Sequence, residues 1–196
     1  APILLVLPGS RRGEVERLAP IFGKAVGRFL HDKPGWRVVV PTVPHVADLV
    51  AEQTASWAGE PVVLVPDPVA SEASAQAKRA AFAAADLALA ASGTVSVELA
   101  AQDTPMVIAY KVSWLTQKIA ERMVTVDTVT LVNLVSETRA VPECLGSDCT
   151  PETIAARLAD VAASPGAQTD AMRLTMQRLG RGGEAPGLRA ARAVLN

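Results

Sequence analysis

Short unbroken apolar runs alternate along the chain with longer stretches in which apolar residues recur every three or four positions. The first run, Ile3 to Leu7, predicts a strand buried on both faces, because parallel strands covered by helices lose the polar alternation. Val15, Leu18, Ala19, Phe22, Val26, Phe29 and Leu30 follow at helical spacing. Pro20 lies inside that pattern and predicts a kink or a split-off first turn, since its nitrogen cannot donate. Pro34-Gly35 marks a turn, and Trp36 to Val40 reads as the second strand. Val43 to Trp57 predicts a helix, Pro61 to Val65 a third strand, and Ala73 to Ala85 an alanine-rich helix. Asp86 to Ala90, Val95 to Ala101 and Pro105 to Ala109 continue as strand, helix and strand.

After Tyr110 the regularity weakens. Ser113 to Met123 reads as a helix, and the β-branched Val124 to Val135 as a strand or a long ordered loop. Thr150-Pro151 predicts a helix start, a capping hydroxyl followed by proline at the first helical position. Ile154, Leu158 and Val161 continue that helix to Pro165-Gly166. Gly180, Gly182 and Gly183 interrupt another, and Gly187 to Leu195 closes the chain. Repeated β-then-α units predict an α/β open parallel sheet with helices on both faces. Such sheets bind ligands beyond the carboxyl ends of the strands, at the switch in strand order. The loops after the first and fourth strands therefore carry the interest.

Composition narrows the classes. The 196 residues are 49 % hydrophobic and 20 % charged, enough apolar material for a sizeable core. A net charge of −1 with no long run of one sign disfavours a nucleic-acid surface. Cys144 and Cys149 lack C-x-x-C spacing and lie far in sequence from His31 and His45, so neither a metal site nor a disulfide framework is expected. Their scarcity favours a reducing, cytoplasmic setting. No apolar stretch approaches the roughly 20 residues of a membrane span. The chain opens directly on a strand, which raises the expectation of a fragment of a longer protein.

The first loop is Leu7-Pro8-Gly9-Ser10-Arg11-Arg12. Gly9 allows a turn other residues resist, and the helix start behind it offers unpaired N–H groups to an anion. Arg11 and Arg12 add charge-assisted donors, and Ser10 offers a hydroxyl that caps the helix or reaches the ligand. The stretch reads equally as a phosphate cradle or as an ordinary capped turn. It is neither a Walker A loop nor a G-x-G-x-x-G fingerprint. The second loop is Ser92-Gly93-Thr94, between a strand and a helix that is apolar except for Glu98. Val97 and Leu99 beside it predict burial of Glu98. A carboxylate there suits a ribose diol, whose two hydroxyls it accepts; the alternative is a glutamate facing solvent. Together the loops describe a site for a nucleotide or nucleotide-sugar.

Several ordered motifs carry a resemblance. They are Leu7-Pro8-Gly9-Ser10-Arg11 with Glu14-Val15, Ala91-Ser92-Gly93-Thr94 with Glu98, and Pro105-Met106-Val107 with Tyr110. Leu115-Thr116, Ala120 to Val124, Asn133-Leu134 and Val141-Pro142-Glu143 follow in order. From about Ile3 to Leu158 the chain resembles the lipid-A-disaccharide synthase family, in its C-terminal, UDP-sugar-binding half. The resemblance implies one Rossmann-like half of a GT-B glycosyltransferase, spanning 1–165. Helices over 166–196 would cross to an N-terminal half. It implies an inverting transfer of 2,3-diacylglucosamine from UDP to 2,3-diacylglucosamine 1-phosphate, in lipid A biosynthesis of Gram-negative bacteria. No cofactor and no metal are implied.

Carried over by motif, Gly9, Ser10 and Arg11 meet the diphosphate, and Arg11 stabilises the leaving group. Gly93 and Thr94 lie near the diphosphate, Ser92 beside them is a further substrate-binding residue, and Glu98 takes the ribose. Asn133, from the resemblance alone, sits in a loop closing on the donor; its local alternative is an Asx turn. The implied partners are the UDP-sugar donor and UDP, with the lipid acceptor held only with the N-terminal half. Nucleic acid is not among them. A homodimer and peripheral contact with the inner face of the cytoplasmic membrane belong to the full-length protein. Trp114, Leu115, Ile119 and Met123 give one helix an apolar face for membrane, acyl chains, a second subunit or its own sheet. No catalytic base is apparent, so the chain alone is expected to be inactive. Val132 replaces the family's proline, Glu137-Thr138-Arg139 its Gly-Arg, and an Asp-Gly before Asp86 is lacking. The alternatives are another UDP-N-acetylglucosamine-using GT-B transferase or epimerase, and a non-catalytic nucleotide-binding module. A hydrolase is disfavoured by the absence of a G-x-S-x-G elbow.

Overall fold

The computed structural model describes residues 1–66, 71–91, 93–111 and 128–183. Among them, six strands form one parallel sheet in the order β3-β2-β1-β4-β5-β6. The strands are β1 (Ile3–Leu7), β2 (Arg37–Pro41), β3 (Val62–Leu64), β4 (Leu87–Ala90), β5 (Met106–Tyr110) and β6 (Glu143–Leu145). The helices are α1 (Arg12–Asp32), α2 (Ala47–Thr54), α3 (Ser71–Ala84), α4 (Val95–Ala101), α5 (Leu131–Ser136), α6 (Pro151–Ala163) and α7 (Gly166–Arg178).

Alternate residues of the central strands β1, β4 and β5 feed two cores. Leu4, Val6, Leu87, Leu89 and Val107 pack with Phe22, Phe29, Ile154 and Leu158, placing α1, α2 and α6 on one face. Leu5, Ala88, Ala90, Met106 and Ile108 pack with Phe82, Leu99, Val132 and Met172, placing α3, α4, α5 and α7 on the other. Strand order reverses between β1 and β4, so the loops after these two strands open on the crevice of the switch point.

Four expectations are corrected. The α1 helix runs unbroken through Pro20 over 21 residues. Pro20 is on the exposed face, where water can serve the carbonyl it leaves without a helical donor. The predicted helix Val43–Trp57 contracts to a 3₁₀ turn at Pro44–Val46 and the shorter α2. Leu131–Ser136, read as strand or loop, is a helix, tied down by the buried Val132 and Asn133. A sixth strand, β6, was not foreseen: three residues with one fully buried side chain carry too little pattern.

The Thr150 cap is as expected, its hydroxyl accepting the Thr153 N–H at 3.2 Å. The α7 helix packs on this sheet through Ala171 and Met172. The predicted helices Ser113–Met123 and Gly187–Leu195 lie outside the described residues, as do Ser92 and the apolar residues Trp114, Leu115, Ile119 and Met123. Cys144 and Cys149 are buried free thiols, and burial pushes the Cys144 thiol from 9.0 up to about 11. Neither is poised as a nucleophile.

Candidate functional site

The loops after β1 and β4 share one cleft. A cavity of about 450 Å³ is lined by Gly9, Ser10, Arg11 and Glu14 from the first loop and by Gly93, Thr94 and Glu98 from the second. Pro41, Thr42 and Val43 wall it from the end of β2, Pro66 from beyond β3, and Lys78 and Phe82 from α3. The Ala91 N–H donates to Leu7 O at 2.9 Å, so the two loops leave neighbouring strands in register. A second groove of about 510 Å³ lies between the later turns of α1 and the start of α6. It contains neither loop, and its Arg28 is paired with Glu152.

The first loop departs from the expected geometry. The Ser10 and Arg11 N–H groups, expected to be open to an anion, both donate to Glu14 Oε2, at 3.1 and 3.3 Å. The Arg11 guanidinium donates to Glu14 Oε1 at 3.0 Å. One carboxylate therefore occupies the positive mouth of α1, as a helix N-terminus favours. Ser10 is not the cap; Arg11 is, and Glu14 stands three residues on, where a capping glutamate belongs. Counting from Ser10 falls on Gly13, which is why the pattern did not expose Glu14. Gly9 has φ +120°, and a Cβ there would stand 2.6 Å from Glu14 Cβ. Both the backbone and the close approach of Glu14 require glycine. The Arg11 side chain is 82 % exposed, so its pair with Glu14 is weak and easily exchanged for a stronger anion. Arg12 is turned to Glu16 at 3.0 Å on the outer surface.

Glu98 is exposed, not buried as its neighbours predicted; Leu99 takes the core position. It lines the cleft, and its Oε2 accepts from Lys78 Nζ at 2.6 Å. Lys78 also sits 5.2 Å above the Phe82 ring. A carboxylate held by one donor keeps further lone pairs for hydroxyl groups. Gly93 has φ +139° with open space where a Cβ would stand. Thr94 is exposed at the start of α4.

Asn133 is placed elsewhere. It is fully buried in α5 and absent from the cleft lining. Its Nδ2 donates to Val141 O at 2.9 Å, and its Oδ1 accepts the Val141 N–H at 2.9 Å. Both amide arms are spent fixing the chain between α5 and β6. This corrects the expectation of a donor-facing loop residue. Glu143 fixes the same region, accepting from the backbone of Val129 and Thr130 at 2.9 and 2.7 Å.

Three lining or bracing residues escaped the sequence reading. Lys78 lies in an alanine-rich helix with no local motif, and only its contact with Glu98 gives it away. Thr42 follows a strand and carries no pattern. His45 donates from Nε2 to Ser10 O at 2.7 Å and braces the first loop from the β2 side. Among the described residues, no group of three or more His, Cys, Asp or Glu stands together to hold a metal. No described helix is long and apolar enough to cross a membrane.

Residues 1–183 match the model of the lipid-A-disaccharide synthetase family. A lipid-A-disaccharide synthase of Ruegeria pomeroyi is 74 % identical over 196 residues, covering 100 % of this chain and 49 % of the relative. One from Rhodospirillum centenum is 42 % identical over 199 residues, covering 100 % of this chain and 48 % of its own. This chain thus spans about half the length of the curated relatives it matches. Among solved structures, the calicheamicin glycosyltransferase superposes with a TM-score of 0.60 at 18 % identity, over 100 % of this chain and 43 % of that one. At that identity the likeness concerns the fold: the sheet and its helices are one half of the GT-B arrangement.

Proposed function

This chain belongs to the lipid-A-disaccharide synthase family, and on that premise we propose that its cleft is the donor site of an inverting glycosyltransferase. The donor is UDP-2,3-diacylglucosamine and the acceptor 2,3-diacylglucosamine 1-phosphate. The products are UDP and the disaccharide precursor of lipid A. The observation that supports this reading best is the convergence of the Gly9–Arg11 loop and Glu98 on one cleft.

The diphosphate lies against Ser10 and Arg11, with Gly93 and Thr94 on its other side. Glu98 takes the ribose hydroxyls. The acceptor oxygen attacks the anomeric carbon from the face opposite the diphosphate. The bond from that carbon to the phosphate oxygen breaks, and its electron pair leaves with UDP. Arg11 is the catalytic residue proposed for that step, since a guanidinium placed where charge develops stabilises the departing anion. Its weak pair with Glu14 leaves it free to turn to phosphate. The base that takes the acceptor proton, and the lipid acceptor itself, belong to the other half of the full-length protein. That protein works at the inner face of the cytoplasmic membrane, and pairing of two chains is part of the same proposal.

The test is synthase turnover. The full-length protein is expected to convert donor and acceptor, and the 196-residue chain alone is expected to give no turnover. Arg11→Ala in the full-length protein should lower kcat by about 10- to 100-fold, the range of a charged hydrogen bond. Robust turnover by the chain alone, or an unchanged kcat in Arg11→Ala, would contradict the reading.

A further inference from the structure

His45 sits in the 3₁₀ turn Pro44–Val46 that follows β2. The turn is fixed by the buried Val46, whose N–H donates to Val43 O at 3.2 Å. From there the imidazole reaches across 35 positions of sequence, its Nε2 standing 2.7 Å from Ser10 O. A carbonyl has no hydrogen to give, so the ring is the donor and carries a hydrogen on Nε2. Ser10 O and the Arg11 N–H belong to one peptide unit, and that unit is trans. In a trans peptide the carbonyl and the N–H point in opposite directions. Holding Ser10 O toward His45 therefore aims the Arg11 N–H the other way. There it meets the Ser10 N–H on Glu14 Oε2, at 3.3 and 3.1 Å respectively. Successive backbone N–H groups that converge in this way make an anion-binding concavity.

We infer that His45 is a positioning residue for the phosphate loop, keeping the Ser10–Arg11 peptide turned with its N–H toward the anion. The inference rests on the donor reading above and assigns a role to a residue outside the cleft lining. Glu14 holds the N–H side of that peptide, and His45 holds its carbonyl side. A phosphate that takes the N–H groups displaces Glu14, and the bond from His45 is the tether that stays. Without that tether the peptide plane is free to rotate. Rotated, it turns an acceptor toward the phosphate in place of a donor, and two acceptors repel. His45 thus acts through the loop, since its Nε2 is spent on the carbonyl.

His45→Leu removes the donor, and His45→Gln keeps an N–H donor of similar reach. In the full-length protein, UDP binding by calorimetry should weaken about three- to tenfold in His45→Leu, the range for one hydrogen bond. Uridine, which has no phosphate, should bind wild type and both variants alike by NMR titration. His45→Gln should restore most of the UDP affinity. His45 is exposed, so the thermal midpoints of the three unliganded proteins should stay close together. Unchanged UDP affinity in His45→Leu would overturn the inference while leaving the donor reading intact. Equal losses in His45→Gln and His45→Leu would make the ring or its charge the contact, and overturn it too. A lowered midpoint with equal losses for UDP and uridine would assign His45 a structural role, with the same consequence. A wild type that binds uridine as tightly as UDP would sink the phosphate-loop reading itself, and the inference with it.

Discussion

Glu14 shows how a single side chain changes the meaning of a motif. The Gly9–Arg11 loop has the backbone of an anion site, yet its donors are already taken by a carboxylate three residues into the helix. A phosphate entering the cleft competes with that carboxylate for the same N–H groups. Glu14→Gln keeps an acceptor for the loop and removes the competing charge. UDP should therefore bind about two- to fivefold more tightly, the size of a charge effect at an exposed helix start. Calorimetric titration of wild type and variant checks this, and weaker binding in Glu14→Gln would show that the charge organises the loop for its ligand. The same scale explains two misplaced expectations. Glu98 looks buried from its neighbours, but Leu99 holds the core position and Glu98 faces the cleft beside Lys78. Asn133 looks like a ligand contact from its motif, and its amide is spent on Val141.

Among the elements, legibility follows the strength of the hydrophobic pattern. The central strands β1, β4 and β5 are covered on both faces, and their unbroken apolar runs locate them within a residue or so. The loops at their ends, and so the core of the candidate site, follow directly. β6 has only Cys144 fully buried and leaves no run to read. α5 is six residues of largely β-branched and polar character, held by contacts rather than propensity. The edge of β5 shows what such contacts do. Beyond the reach of β6, Gln168 of α7 accepts the Met106 N–H at 2.9 Å and donates to Met106 O at 2.9 Å. One amide thus stands in for a neighbouring strand residue. Gln168→Leu should destabilise the protein by about 2–5 kcal/mol, since two buried backbone groups lose their partners. Chemical denaturation measures it, and a change under about 0.5 kcal/mol, the size of an ordinary surface substitution, would show that the clamp is replaceable.

At the scale of the whole molecule, strand order makes the site. Residues 9–11 and 93–98 are more than 80 positions apart and carry no mutual signal in the sequence. The reversal between β1 and β4 brings their loops together at one end of the sheet. Neither loop alone is specific, and their meeting on one cleft is what supports a ligand with phosphates at one end and a diol at the other. The lining from β2 and α3 completes the site and could not be read before the fold was known. The two-loop site is tested by titrating the full-length protein with UDP, with ADP as control and with Arg11→Ala and Glu98→Ala beside wild type. UDP is expected to bind in preference to ADP, and each substitution to weaken UDP about tenfold or more, as loss of a charged hydrogen bond does. UDP affinity equal to wild type in both variants, or equal affinity for ADP, would contradict it.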